Sequence, residues 1–223
     1  MASPHPRLSR RQLVMSATAL AGLHALPAGA AALVPTPRQT TGPFYPLELP
    51  LDADNELVQI IGRPERAGGT ILHLGGRVLE PHGRPVRGAR LEIWQCDALG
   101  VYHHARDPRG PADPNFQGFG STMVAADGAY RFRTIEPVPY PGRTPHIHFR
   151  ILGPGFEPLV TQMYLEGHPL NAQDGIYQRL GERAVLVTVR LEPAPDLEPQ
   201  AKSGAKRALF DIVLGPNGVP RDA

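Results

Sequence analysis

One cysteine in 223 residues, Cys96, excludes an intramolecular disulfide and any Cys-rich zinc or iron–sulfur site. No His-Glu-x-x-His helix is present to build a zinc hydrolase, and no internal repeat is visible. Beyond the N-terminus no stretch approaches the roughly 18 apolar residues that a membrane span needs. Charge of one sign is also missing. The formal net charge is +2 and the basic residues are scattered, which gives no phosphate-binding stripe and no nucleic-acid partner.

What the chain does hold is turn chemistry. It has 24 Gly and 26 Pro, against ordinary apolar and charged fractions of 41% and 20%, and this favours a turn-rich β protein over a helical bundle. The length suits one domain with a full hydrophobic core.

The N-terminus reads as an address over residues 1–32. Ser9-Arg10-Arg11-Gln12-Leu13 forms a twin-arginine pattern, followed by a weakly apolar run over residues 13–26 and by Ala28-Gly29-Ala30. This predicts a Tat signal, a periplasmic or secreted destination and a mature form that does not span the membrane. The alternative is an uncut helix kept as a membrane anchor. Tat cargo crosses folded, often with a cofactor inserted, so the address favours a metalloprotein.

Residues 33–66 are read as an extended arm centred on Thr40-Thr41-Gly42-Pro43-Phe44-Tyr45-Pro46, and residues 67–223 as a single β domain. Short apolar or alternating runs cover residues 71–79, 89–96, 130–134, 146–152, 159–165, 184–191 and 208–214. Seven strands so spaced predict an all-β antiparallel sandwich with long loops. Turns at Glu80-Pro81-His82-Gly83-Arg84-Pro85 and Ala126-Asp127-Gly128-Ala129 are expected to join antiparallel neighbours. Residues 193–205 read as a polar loop and 169–180 as containing a short helix. Cys96 reads as a small buried hydrophobe on a strand.

Pro145-His146-Ile147-His148-Phe149 carries the most chemistry. In a strand, residues two apart share a face, so both imidazoles converge while Ile147 and Phe149 turn inward. A lone His-x-His is equally a pair of hydrogen-bonded or exposed histidines. Two imidazoles are too few for a firmly held metal, and the remaining candidates are Tyr102 and Tyr140, both in loops just past strands. Phenolate is a hard anionic oxygen ligand suited to Fe(III). Taken singly, either tyrosine is also an ordinary amphipathic residue at a sandwich edge.

The residues together resemble the intradiol ring-cleavage dioxygenases, most closely protocatechuate 3,4-dioxygenase subunits. The resemblance runs through Thr-x-Gly-Pro-Phe-Tyr in the arm, Gly-x-Tyr-x-His at Tyr102, Phe116-Gln117-Gly118-Phe119-Gly120 and Asp127-Gly128-x-Tyr130-x-Phe132-Arg133. It continues through Pro-x-Pro-Tyr140-Pro, Arg143-x-Pro-His146-Ile-His148-Phe and Thr161-Gln162-Met163-Tyr164. It implies non-haem Fe(III) held by Tyr102, Tyr140, His146 and His148 with a solvent hydroxide. It further implies a catechol-type diol that chelates the iron in place of Tyr140, which then acts as base, and O2 attack that opens the ring to a cis,cis-muconate. Arg143 matches the arginine that stabilises charge on the ring, and Gln162 matches its partner.

Two departures stand out. Only five residues separate Tyr140 from His146, fewer than is usual in the family, and no N-terminal helical domain of the catechol 1,2-dioxygenase type is present. The expected partners are a small aromatic diol and O2, in a homo-oligomer or an αβ-type assembly. The identity of the diol (protocatechuate, catechol or hydroxyquinol) stays open. Two other readings remain: a non-catalytic β-sandwich binding module, and a copper or zinc site on His146, His148 and one of His103 or His104. The latter two also read as pocket-rim groups beside Tyr102.

Overall fold

The computed structural model describes residues 32–154, 156–201 and 204–215. The twin-arginine segment lies outside them. Among the described residues no helix is long and apolar enough to cross a membrane.

Among the described residues ten strands form two five-stranded sheets. One contains β1 (Ile71–Leu79), β4 (Ala129–Ile135), β8 (Glu192–Pro193), β9 (Ala205–Leu209) and β10 (Ile212–Val213). The other runs β3 (Phe119–Met123), β2 (Arg90–Trp94), β5 (His146–Leu152), β6 (Leu159–Leu165) and β7 (Thr188–Val189). The sandwich is as expected, but its sheets are mixed: β1 pairs in parallel with β9 and β10, and β6 with β7. The Glu80 and Asp127 turns join antiparallel neighbours only locally. Each closes a short antiparallel pairing, Leu79 with Pro85 and Ala125 with Ala129, but the strands beyond it, β1 and β2 or β3 and β4, lie in different sheets. Each sheet needs the other's apolar face, and crossing at a tight turn supplies it at once.

The bounds of β1, β5 and β6 coincide with the apolar runs in the sequence. The run over 184–191 does not form one strand. A 3-10 segment, Gly181–Val187, precedes the two-residue β7. Val185 is exposed there, so its β-branched pattern reflects no buried strand face. Strand β3 went unforeseen because Gly120, Ser121 and Thr122 carry little apolar signal. A 3-10 turn, Pro169–Ala172, and the single-turn helix α1, Gly175–Gln178, occupy the segment read as a short helix. Residues 32–69 form no regular element and lie along the sandwich as the arm.

Two apolar clusters result. The larger fills the space between sheets and takes Ile147, Phe149 and Ile151 from β5. Each fully buried side chain of this size contributes about 1.5–3 kcal/mol. The smaller joins Trp94, Cys96, Tyr102 and Phe119, with Phe44, Tyr45 and Tyr140 packed against it. Strand β5 lies between them, so its alternation sends the two histidines toward the aromatic side.

Candidate active site

Register sets the site. Within the second sheet His148 is paired with Trp94 on one side and Gln162 on the other, and His146 is paired with Tyr164. His146, His148 and Gln162 are all buried. Tyr102 reaches the same place from the loop after β2, and Tyr140 from the loop after β4, where it bridges to Arg143.

The four rings form a closed circuit. Centroids are 5.8 Å apart for Tyr102 and Tyr140, 5.5 Å for Tyr140 and His146, 4.9 Å for His146 and His148, and 6.4 Å for His148 and Tyr102. Nδ1–H of His146 donates to the Thr144 carbonyl at 2.7 Å, which fixes the tautomer and leaves Nε2 with a bare lone pair. That Nε2, the Tyr102 hydroxyl and His148 Nδ1 are buried without a hydrogen-bond partner. Buried polar atoms are ordinarily paired, so three orphans in one aromatic nest fit a missing common partner. Two neutral imidazoles and two phenols are a donor set suited to a hard, highly charged ion.

Electrostatics agree. Burial, aided by the Arg143 charge, pushes His146 down to about 3. Burial, His146 and Arg143 together hold His148 well below its ordinary value. Both histidines are therefore neutral at pH 7. Burial raises the Tyr102 and Tyr140 hydroxyls, with Arg143 pulling the other way on each, so without a metal both stay protonated.

The arm closes the site. Gly42 adopts φ +70°, and a Cβ there would come within 3.3 Å of His148 Cε1. Phe44 stacks on Tyr102 at 4.8 Å. Gln39 and Thr40 bond to Thr161, Gln162 and Tyr164 of β6.

Arg143 donates from Nη2 to Gln162 Oε1 at 2.6 Å, from Nε to Asp174 Oδ2 at 2.8 Å, and from Nη1 toward the Tyr140 hydroxyl at 3.4 Å. Gln162 Oε1 also accepts from the Tyr164 hydroxyl at 3.1 Å. A cavity of about 440 Å³ opens against Tyr140 and Arg143, walled by Pro141, Gly142, Leu170, Gln173 and Asp174. A larger one of about 630 Å³ lies behind Phe44, Trp94 and Tyr102. The smaller is the candidate mouth, because Tyr140 and Arg143 line it together with Asp174.

Three participants were not foreseen. Trp94 stacks on His148, Asp174 holds Arg143, and Arg109 lies over the tyrosine rings. Nothing in sequence spacing singles them out. His103 and His104 are not brought in. His103 Nε2 bonds the Asp113 carbonyl at 2.8 Å, and His104 lies edge-on to Phe44. Among the described residues no three His, Cys, Asp or Glu side chains cluster as a metal site, which counts against the copper or zinc alternative.

The Dioxygenase family model (Dioxygenase_C) matches residues 40–216. The chain is 39% identical over 186 residues to the protocatechuate 3,4-dioxygenase beta chain of Burkholderia cepacia, covering 79% of this chain and 78% of that one. It is 31% identical to a hydroxyquinol 1,2-dioxygenase of Corynebacterium glutamicum, covering 67% of this chain and 55% of the relative. It spans about half, 50%, of a catechol 1,2-dioxygenase of Acinetobacter lwoffii. Among solved structures, the dioxygenase domain of a carbohydrate-binding fusion from Streptomyces sp. SirexAA-E superposes with a TM-score of 0.63 at 30% identity, covering 81% of this chain and 98% of that one. The chain belongs to the intradiol ring-cleavage dioxygenase family and is an enzyme of the protocatechuate and catechol dioxygenase type.

Proposed function

We propose that this chain uses Fe(III) held by Tyr102, Tyr140, His146 and His148 to open an aromatic ortho-diol with O2. One diol and one O2 combine, with no other reactant, into the ring-opened cis,cis-muconic diacid. The observation that carries this reading is the closed circuit of four rings with three orphaned buried polar atoms.

When bound, the iron would supply Lewis-acid activation of the diol toward O2. The chain's own groups do the rest. Tyr140, at the cavity wall, is placed to take a proton from the incoming diol. Arg143, pinned by Asp174 and Gln162, presents a fixed cation where negative charge develops on the ring oxygens. The arm and the Phe44 ring keep bulk water from His148 and Tyr102. The short Tyr140–His146 connection leaves the mouth open and suits a single-ring diol with room for a substituent. Export through the Tat pathway and assembly as a homo-oligomer or with a second chain belong to the same reading.

The binding-module alternative requires the ligand set to have decayed, and all four candidates converge. The test is the visible spectrum and iron content of the purified protein. Tyrosinate-to-iron charge transfer should colour it burgundy, and anaerobic catechol should shift the band. Tyr102→Phe should lower iron retention and move the band. A protein that stays colourless after iron reconstitution overturns the reading.

A further inference from the structure

Asp174, which nothing in the sequence singled out, makes four side-chain hydrogen bonds beside the site. It is buried, and its side chain is fully enclosed. Oδ1 caps α1 by accepting from the Ile176 and Tyr177 amides at 2.8 and 3.1 Å. Oδ2 faces the other way. It accepts from Arg143 Nε at 2.8 Å and from the Thr144 amide at 3.0 Å.

Those two bonds lead to both halves of the site. Arg143 carries Gln162 and the Tyr140 hydroxyl on its remaining nitrogens. Thr144 gives its carbonyl to Nδ1–H of His146, and its hydroxyl is tied to Asn171 at 2.7 Å. One carboxylate oxygen therefore fixes the guanidinium that faces the cavity and the peptide that aims an imidazole. Burial alone would raise this carboxyl, but bonds from the Tyr177 amide and Arg143 outweigh it and keep it ionised.

We propose that Asp174 is a positioning residue for the ring-opening reaction, acting through Oδ2 on Arg143 and, by way of Thr144, on His146. The inference rests on the proposed reaction at this site, yet its geometry concerns side chains that are present without the metal. A purely structural reading assigns Asp174 only the capping of α1. Asn and Ser cap helices about as well as Asp, so Asp174→Asn and Asp174→Ser preserve that role. Neither supplies a second carboxylate oxygen to the Arg143 and Thr144 donors.

The experiment compares wild type, Asp174→Asn, Asp174→Ser, Arg143→Ala and the double variant Asp174→Asn with Arg143→Ala, all as iron-loaded full chains with catechol. Each Asp174 variant should lose on the order of 100-fold in kcat with a smaller change in KM, as expected when an oriented electrostatic group is released. The double variant should lose clearly less than the product of the two single losses, because the Arg143 route is shared while only the Thr144 route to His146 remains to be lost. In the metal-free protein the Arg143 Nε–H nuclear resonance should be protected in wild type and lost in both Asp174 variants. Losses that multiply in the double variant overturn the proposal. So does an unchanged Nε–H resonance, or loss of the fold in both capping-competent variants. A wild type that takes up no iron and leaves catechol intact instead refutes the proposed reaction, and the resonance then still judges whether Asp174 holds Arg143.

Discussion

Trp94 and His148 lie face to face, with ring centroids 4.7 Å apart and planes 6° from parallel. The pair follows from register, since the two residues are direct partners across β2 and β5. Trp94 is also the single tryptophan of the chain. Its emission therefore reports on one imidazole. Buried emission from the metal-free protein should be quenched as iron is added, with an endpoint at one ion per chain. Quenching that is absent, or needs several ions, would mean that the metal does not sit on His148.

Loading should release protons. Burial keeps Tyr102 and Tyr140 protonated in the metal-free protein, whereas His146, pushed down to about 3, and His148, held well below its ordinary value, are already neutral at pH 7. Binding as tyrosinates must expel both phenolic protons and none from the imidazoles. Affinity accordingly rises with pH, by about two logarithmic units per pH unit between roughly pH 5 and 8. Competition against a chelator of known affinity at several pH values measures the slope. A slope near zero would exclude tyrosinate ligation.

The arm can be tested at one atom. Gly42 combines φ +70° with a space in which a Cβ would press on His148 at 3.3 Å. Gly42→Ala carries left-handed strain of about 1 kcal/mol and displaces the imidazole by a few tenths of an ångström. Iron affinity should fall several-fold while the thermal midpoint drops by only a few degrees. Equal affinity in the two proteins would show that the arm does not bear on the site.

Much of this was legible because it is local. Strands β1, β5 and β6 are apolar runs closed by Gly and Pro, and His-Ile-His is a two-residue period that any strand converts into two imidazoles on one face. Tyr102, Tyr140, Arg143 and Gln162 came from a resemblance in motif, and the fold brings all of them together. Less local features stayed hidden. Strand β3 is held by its place beside β2, not by its own weak pattern, and the tight turns, antiparallel over a residue or two, deliver the long strands to different sheets because each sheet must be covered by the other. Asp174 lies 31 residues from Arg143, and only tertiary folding pairs them.

Arg109 is the clearest case of a residue that spacing could not find. Its Nε donates to Asp107 at 2.7 Å, its Nη2 is bonded to the same carboxylate, and Asp107 also accepts the Tyr102 amide at 2.7 Å. That clamp sets the guanidinium carbon 4.3 Å from the Tyr140 ring centroid and 5.8 Å from that of Tyr102, with Nη1 buried and unpartnered. A cation over a neutral phenol gains about 0.5–2 kcal/mol. Over a phenolate it gains more, because the ring then shares a full negative charge. The cation lowers the energy of the phenolate electrons, so charge transfer from tyrosinate to iron demands more energy while Arg109 is present. Arg109→Met should move the visible band to longer wavelength, and it leaves the Asp107 charge uncompensated, which pushes the same way. Arg109→Lys keeps the charge but loses the two-point clamp, and should fall between. Identical band positions in all three proteins would mean that Arg109 packs against the rings without acting on their charge.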